Sequence, residues 1–134
     1  MKLTNPLSIS TLLLTAAITD LTLAACYGSG EVLNKANANY HAKRACMGYD
    51  GHAGAFQGFF SAGQNKQACI NNDAGVGGHL ILGVRNLNQN AGFDLDDADC
   101  FKELGILIAL CNRGGTGTVA GWFFRVDPNG GACP

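Results

Sequence analysis

Charged side chains are scarce in this 134-residue chain, at 14% of all residues, and the formal net charge is only −1. The sequence has no cluster of lysine and arginine of the kind that neutralises nucleic-acid phosphates. Beyond the N-terminal segment, no apolar stretch approaches the length of a membrane span. We therefore expect a soluble protein with no nucleic-acid partner and no span through a membrane.

Metal-ligand spacings are absent as well. The sequence contains no Cys-x-x-Cys or His-x-x-His motif. The acidic run over 94–99 lacks the glycine that a calcium loop requires at its sixth position. Helix capping is the simpler explanation of this run, because acidic side chains favour the positive end of a helix. We expect neither a bound metal ion nor a cofactor.

Residue types that serve in acid–base catalysis are present but scattered. A hydrolase would draw on His52, His79, Glu103 and an arginine such as Arg85 or Arg125. No spacing forces any two of them together, and a general acid or base must lie within hydrogen-bond reach of its partner. We therefore predict a protein without enzymatic activity, with a weak hydrolase as the less favoured alternative.

The N-terminus carries the pattern of a secretory signal peptide. Lys2 precedes an apolar segment over 7–18, which is too short to span a bilayer, and two alanines before Cys26 suit cleavage. We predict a signal peptide over residues 1–25, one mature domain over 26–134, and secretion to the extracellular space. A lipoprotein cleavage box ending at Cys26 is the alternative, but it would leave an odd number of structural cysteines.

Six cysteines lie downstream of the apolar segment: Cys26, Cys46, Cys69, Cys100, Cys111 and Cys133. An even count behind a secretory signal is typical of disulfides formed in an oxidising compartment. Cys100 and Cys111 fall on one predicted helix, where their Cα atoms would be roughly 16 Å apart, too far for a disulfide. They must therefore have different partners. Cys111 with Cys133 is the favoured pair, and the other pairings stay open.

Hydrophobic periodicity predicts both helices and strands. A first helix is expected to follow an N-cap at Ser29 and to stop at Gly48, and a second runs from an N-cap at Asp96 to Leu110 or Cys111. Strands are predicted over 55–60, 66–70, 79–86 and 119–126. Because the middle strands have hairpin-like spacing, we predict a single α+β domain with an antiparallel sheet.

Aromatic and polar residue types in the chain suit a sugar-binding surface. Such surfaces stack apolar sugar faces on tryptophan or tyrosine and hold hydroxyls with amide, carboxylate and guanidinium groups. Residues of these types are Tyr27, Tyr49, Trp122, Arg125, Asp127 and Asn129, and all but Tyr27 are our candidate glycan-binding residues. A lone tryptophan in a strand is more often part of the core, so we consider two roles for Trp122: packing in the core and binding of a sugar.

Three segments together resemble a known family. The first is Gly-Tyr-Asp-Gly-His-Ala-Gly-Ala-Phe-Gln-Gly over 48–58, the second is the cysteine helix ending in Cys-Asn-Arg-Gly-Gly over 111–115, and the third is the tail over 121–133. They are similar to the small secreted fungal glycan-binding domain first described from an edible mushroom lectin, which also occurs at the ends of some fungal chitinases. The resemblance covers nearly all of residues 26–134.

This resemblance implies a disulfide-stapled α/β/α sandwich, with an antiparallel sheet flanked by helices. It also implies homodimerisation through sheet edges and recognition of fucosylated or N-acetylhexosamine-containing glycans. The expected function is non-enzymatic binding of cell-surface or cell-wall glycans or glycoproteins. The alternative is a small secreted cysteine-rich effector or toxin that acts on a protein or membrane target.

Overall fold

The computed structural model describes residues 24–134. The predicted signal peptide lies outside this part of the chain, except for its last two residues. The elements, in chain order, are β1 (Ala24–Cys26), α1 (Lys35–Met47), β2 (Phe59–Phe60), β3 (Asn65–Asn71), β4 (His79–Asn86), β5 (Phe93–Asp94), α2 (Asp97–Leu110), β6 (Gly115–Val119) and β7 (Trp122–Asn129).

Five of the strands form one antiparallel sheet in the order β1-β6-β7-β4-β3, and β2 pairs with β5 in a separate two-stranded sheet. In the centre of the large sheet, Leu82 of β4 lies opposite Val126 of β7, and Val84 lies opposite Phe124. All four side chains are buried. The predicted α+β class, single domain and antiparallel sheet are confirmed.

Both helices pack against the same face of this sheet. The hydrophobic core joins alternate residues of β4 and β7 to Ala38 and Ala42 of α1 and to Leu104 and Ile108 of α2. Within residues 24–134 the helices therefore flank the sheet on one face, which we call the core face. The opposite face, which we call the open face, carries exposed side chains such as Arg85 and Gln67.

Of the two helix N-caps predicted from the sequence, the one of α2 is confirmed and the one of α1 is wrong. Asp96 caps α2 as predicted, because its carboxylate accepts hydrogen bonds from the backbone N–H groups of Ala98 and Asp99 at 2.9 and 3.2 Å. The predicted cap of α1 at Ser29 is wrong. Asn34 is the N-cap instead, and the preceding segment is extended because Leu33 is buried and donates its N–H to Asn112 O at 2.8 Å.

The predicted last strand is in fact a hairpin. β6 and β7 are joined by Ala120 and Gly121, which both have positive φ values (50° and 84°), as in the tight turns that suit the twist of a β-hairpin. Ala-Gly is a weaker turn signal than Asn-Gly, so the sequence did not reveal it. The first predicted strand, 55–60, is shortened to Phe59–Phe60.

All six cysteines form disulfides, as predicted, and they pair as Cys26–Cys111, Cys46–Cys100 and Cys69–Cys133. The expectation that Cys100 does not bond to Cys111 is confirmed, but the favoured pair Cys111–Cys133 is wrong. Cys111 is buried beside β1 at the end of α2. Cys69, the partner of Cys133, alternates along β3 with Ala68 and Ile70, which pack on the core, so this disulfide lies on the open face.

Candidate functional site

Three of the candidate glycan-binding residues lie together on the open face of β7. Arg125, Asp127 and Asn129 occupy alternate positions of this strand, so their side chains point the same way. Arg125 Nη2 donates to Asp127 Oδ2 at 2.5 Å, and Asn129 Nδ2 donates to the backbone carbonyl of Asp127 at 3.1 Å. The hydrogen bond to Asp127 is the main cause that raises the pKa of Arg125.

Tyr27 completes this group, which we call the open-face cluster (Tyr27, Arg125, Asp127 and Asn129). It follows β1 directly and donates its backbone N–H to Gly114 O at 2.9 Å. Its phenol group contributes to the raised pKa of Arg125, after the larger effect of Asp127. The cluster carries hydrogen-bonding groups beside an aromatic ring, but its charged pair is already satisfied internally.

The other two candidates lie elsewhere. Trp122 is on the core face, where its ring packs edge-on against Phe60 with ring centroids 5.0 Å apart. Tyr49 follows α1 and is 40% exposed, and its ring lies against the guanidinium of Arg44 at 3.6 Å. The structure therefore places neither ring beside the open-face cluster.

A polar cavity of about 210 Å³ lies where the start of α1 meets the ends of β4 and β7. Its polar lining residues are four asparagines and one glutamate, and we call it the amide pocket: Glu31, Asn34, Asn37, Asn72 and Asn129. Only Asn129 was a candidate from the sequence. Asn34 and Asn37 are three residues apart and so share a helix face, a spacing that offered a signal.

One oxygen in the amide pocket lacks a partner. Asn72 Nδ2 donates to Gly77 O at 2.8 Å, but Asn72 Oδ1 is buried and accepts no hydrogen bond from any described residue. Buried polar atoms are almost always paired, so this oxygen is an exception within the fold. Asn37, only 8% exposed, lines the same cavity.

Apolar and backbone groups complete the wall of the amide pocket. Val32 and Val76 are exposed beside the amide groups. Gly78 has a φ of 69°, and a Cβ at this position would lie 2.4 Å from the carbonyl oxygen of Asn129. Glycine is therefore needed for the 72–78 segment to lie against the end of β7, and this approach brings Asn72 to the cavity.

A second cavity, of about 400 Å³, lies at the other end of α1. Its polar groups are His41, Arg44 and Tyr49, and we call it the arginine pocket. Its floor is apolar, with Ala45 from α1 and Ala68 and Ile70 from β3. The sequence singled out Tyr49 here, but not the histidine or arginine beside it.

Within residues 24–134, no group of three or more histidine, cysteine, aspartate or glutamate side chains is arranged to hold a metal ion. No helix in this part of the chain is long and apolar enough to cross a membrane.

A small domain held by three disulfides, with polar side chains gathered around surface cavities, is typical of extracellular binding domains. The family model described as "Glycan binding domain Y3" matches residues 53–133, which is more than half of the chain. The protein therefore belongs to this glycan-binding domain family. No curated protein and no solved structure matches the chain.

The family match confirms the glycan-binding character that the resemblance implied. The matched range contains all of the open-face cluster except Tyr27, and it also contains Trp122. It does not reach α1 or Tyr49, so the helix that lines both cavities lies outside it.

Proposed function

We propose that this protein is a secreted, non-enzymatic lectin that holds a sugar residue in the amide pocket. The observation that carries the proposal is a single polar cavity lined by four asparagines and a glutamate that come from three separate segments of the chain. Each hydrogen bond between a sugar hydroxyl and this lining would contribute about 0.5–1.5 kcal/mol to binding.

The chemistry of the amide pocket suits a neutral sugar. Asn34 uses its side-chain oxygen to cap α1 and Asn72 uses its amide nitrogen within the fold, so the amide groups that remain include both donors and acceptors. Each sugar hydroxyl can serve as both, so the two sets are complementary. Glu31 adds an acceptor at the rim, while Val32 and Val76 offer apolar surface to the C–H face of a ring. An N-acetyl group presents an amide of the same kind, so fucosylated and N-acetylhexosamine-containing glycans are the proposed ligands.

A glycan array probed with disulfide-intact protein tests the function, and Asn37→Ala tests the site. We expect binding to fall about tenfold or more, because a hydrogen-bonding side chain that lines the cavity is removed. We expect the stability of α1 to be maintained, since alanine favours helix formation more than asparagine does. The matched control is Asn39→Ala, the same change at an exposed position of α1 outside the pocket, which should bind as the parent protein does.

The outcomes separate the function from the site. An array with no binding above background would contradict the lectin function and favour the alternative, an effector or toxin acting on a protein or membrane. Glycan binding that Asn37→Ala leaves unchanged would contradict the amide pocket alone.

The open-face cluster is the second surface that we propose for sugar contact, and Arg125→Ala tests it. Loss of glycan binding with an unchanged melting temperature would place the site on the open face. Retained binding would remove Arg125 from the site. Trp122→Ala is less informative, because this ring packs on the core and its loss would also damage the fold.

We propose a non-enzymatic role because the catalytic residue types lie on separate elements. His79 is buried at the start of β4, and its Nδ1 lies 2.9 Å from Gly131 O. Glu103 is on α2 and His52 is in the turn after α1, and the described hydrogen bonds join none of the three to another. Hydrolysis of an array glycan by the purified protein would contradict this proposal.

We also propose that the protein dimerises through the edges of its sheet. β1 and β3 are the edge strands, and cleavage before Cys26 would remove two of the three residues of β1, leaving most of the outer edge of β6 unpaired while its other edge stays bonded to β7. Sedimentation of the secreted form should show a dimer, and a monomer at micromolar concentration would contradict this proposal.

A further inference from the structure

The arginine pocket holds a guanidinium that is oriented but not neutralised. The Arg44 guanidinium lies 3.6 Å from the ring centroid of Tyr49 and 5.2 Å from that of Tyr40, and Nη1 donates to Tyr40 OH at 2.8 Å. No carboxylate in residues 24–134 forms an ion pair with it. Because an arginine has five N–H donors, most of them remain for a ligand.

A tight turn holds Tyr49 in this position. Tyr49 and His52 exchange backbone hydrogen bonds of 3.0 and 2.7 Å across Asp50 and Gly51, whose φ values of 47° and 77° are those of a type I′ turn. Arg44 is thus stacked against rings that helix and turn fix in place. A guanidinium ordered in this way loses less entropy when it binds an anion.

His41 is the second uncommitted polar group. Its Nε2 is buried, has no hydrogen-bond partner among the described residues, and lies 3.9 Å from Asp73 Oδ1. Burial lowers the pKa of His41, with Arg44 acting in the same direction and Asp73 opposing it. The imidazole is therefore neutral near pH 7, and Arg44 supplies the positive charge of the pocket.

We propose that the arginine pocket binds the carboxylate of an acidic sugar residue. The planar guanidinium matches a carboxylate in a two-point hydrogen bond, and the Tyr49 ring with the floor of Ala68 and Ile70 covers the apolar side of the sugar ring. The assignment to a sugar rests on the proposed lectin function. The carboxylate site itself does not depend on it.

The two pockets lie along one side of α1. Asn37 lines the amide pocket, and His41 and Arg44 line the arginine pocket at spacings of four and seven residues, which return to the same helix face. The rise from Asn37 to Arg44 is roughly 10 Å. One oligosaccharide with a neutral and an acidic residue can therefore reach both pockets.

Glucuronate and glucose are the probes for this site, because they differ in a single carboxylate. Each is titrated into the disulfide-intact protein, and backbone and arginine side-chain NMR signals are followed. We expect glucuronate to shift the signals of His41, Arg44 and Tyr49, and glucose to leave them in place. Equal shifts with both sugars, or none with glucuronate, would overturn the carboxylate site.

Arg44→Gln should weaken glucuronate binding about tenfold or more, because a charged hydrogen bond is lost. Lys43→Gln is the matched control, with the same loss of charge at an exposed neighbour of α1, and it should leave the affinity within about twofold. An equal loss in both variants would show non-specific attraction and overturn the proposal. Melting temperatures verify that both variants fold.

Asp73→Asn should strengthen glucuronate binding, because the Asp73 carboxylate lies 3.9 Å from His41, which lines the pocket, and its negative charge repels a second carboxylate. Cyclohexanecarboxylate tests whether the pocket requires a sugar ring or only a carboxylate. If it binds as tightly as glucuronate, the assignment to a sugar is overturned. Asn37→Ala should retain glucuronate binding. An array on which the protein binds no neutral glycan would therefore contradict the amide pocket as a sugar site and leave the arginine pocket standing, whereas an array with no binding at all would contradict the lectin function.

Discussion

At the scale of single residues, the role of a side chain here depends on which face of the sheet it occupies. Trp122 and Arg125 are three residues apart on β7, and they point to opposite faces. Trp122 packs against Phe60 in the core, while Arg125 bonds to Asp127 on the open face. Alternation along the strand was readable from the sequence. The choice of the face that the helices cover was not.

Gly54→Ala should destabilise the fold although its φ is ordinary. A Cβ at this position would lie 2.2 Å from Ala45 O and 2.5 Å from Arg44 O, which are backbone atoms that cannot move alone. We expect the free energy of unfolding to fall by about 1–3 kcal/mol in urea denaturation. Gly75→Ala is the control, because no atom lies within 4 Å of the added methyl group. Equal stability of the two variants would refute the close approach.

At the scale of elements, local signals determined where α2 begins but not where α1 does. The aspartate at position 96 satisfies two N–H groups of its own helix, so a local pattern was sufficient. The start of α1 is different, because the hydrogen bond from Leu33 to Asn112 holds the preceding segment extended. A partner 79 residues away in sequence leaves no local signal.

Asp96→Ala should lower the free energy of unfolding by about 0.5–2 kcal/mol, because the first turn of α2 loses its capping acceptor. Asp96→Asn keeps an oxygen in the same place and should restore most of this loss. Thermal or urea unfolding under oxidising conditions measures both. If the asparagine variant is as unstable as the alanine variant, charge at the helix terminus matters more than the cap.

At the scale of the whole molecule, the disulfides tie together elements that are distant in sequence. One joins β1 to the end of α2, one joins α1 to the start of α2, and one joins β3 to the C-terminal tail. Cys46, Cys100 and Cys111 are buried in the core, whereas Cys26 and Cys69 are exposed. The three links therefore differ in their access to solvent.

Limited reduction should open Cys69–Cys133 first, because a reductant reaches it more readily than the other two disulfides, each of which contains at least one buried cysteine. Alkylation followed by peptide mass spectrometry gives the order of opening. The partly reduced protein should keep its core, since only the tail is released. Labelling of Cys46 and Cys100 before the other pairs would contradict this order.

The sequence by itself determined the α+β class and α2 with its cap, because these depend on local periodicity. It also determined that all six cysteines form disulfides, which follows from their count, and the family, which follows from a matching segment. Tertiary structure alone decided the disulfide partners, the hairpin of β6 and β7, and both pockets. The amide pocket joins Asn37, Asn72 and Asn129 from three separate segments. The arginine pocket joins a helix, a turn and a strand. Such sites form only when packing brings distant segments together, and no spacing along the chain encodes that contact.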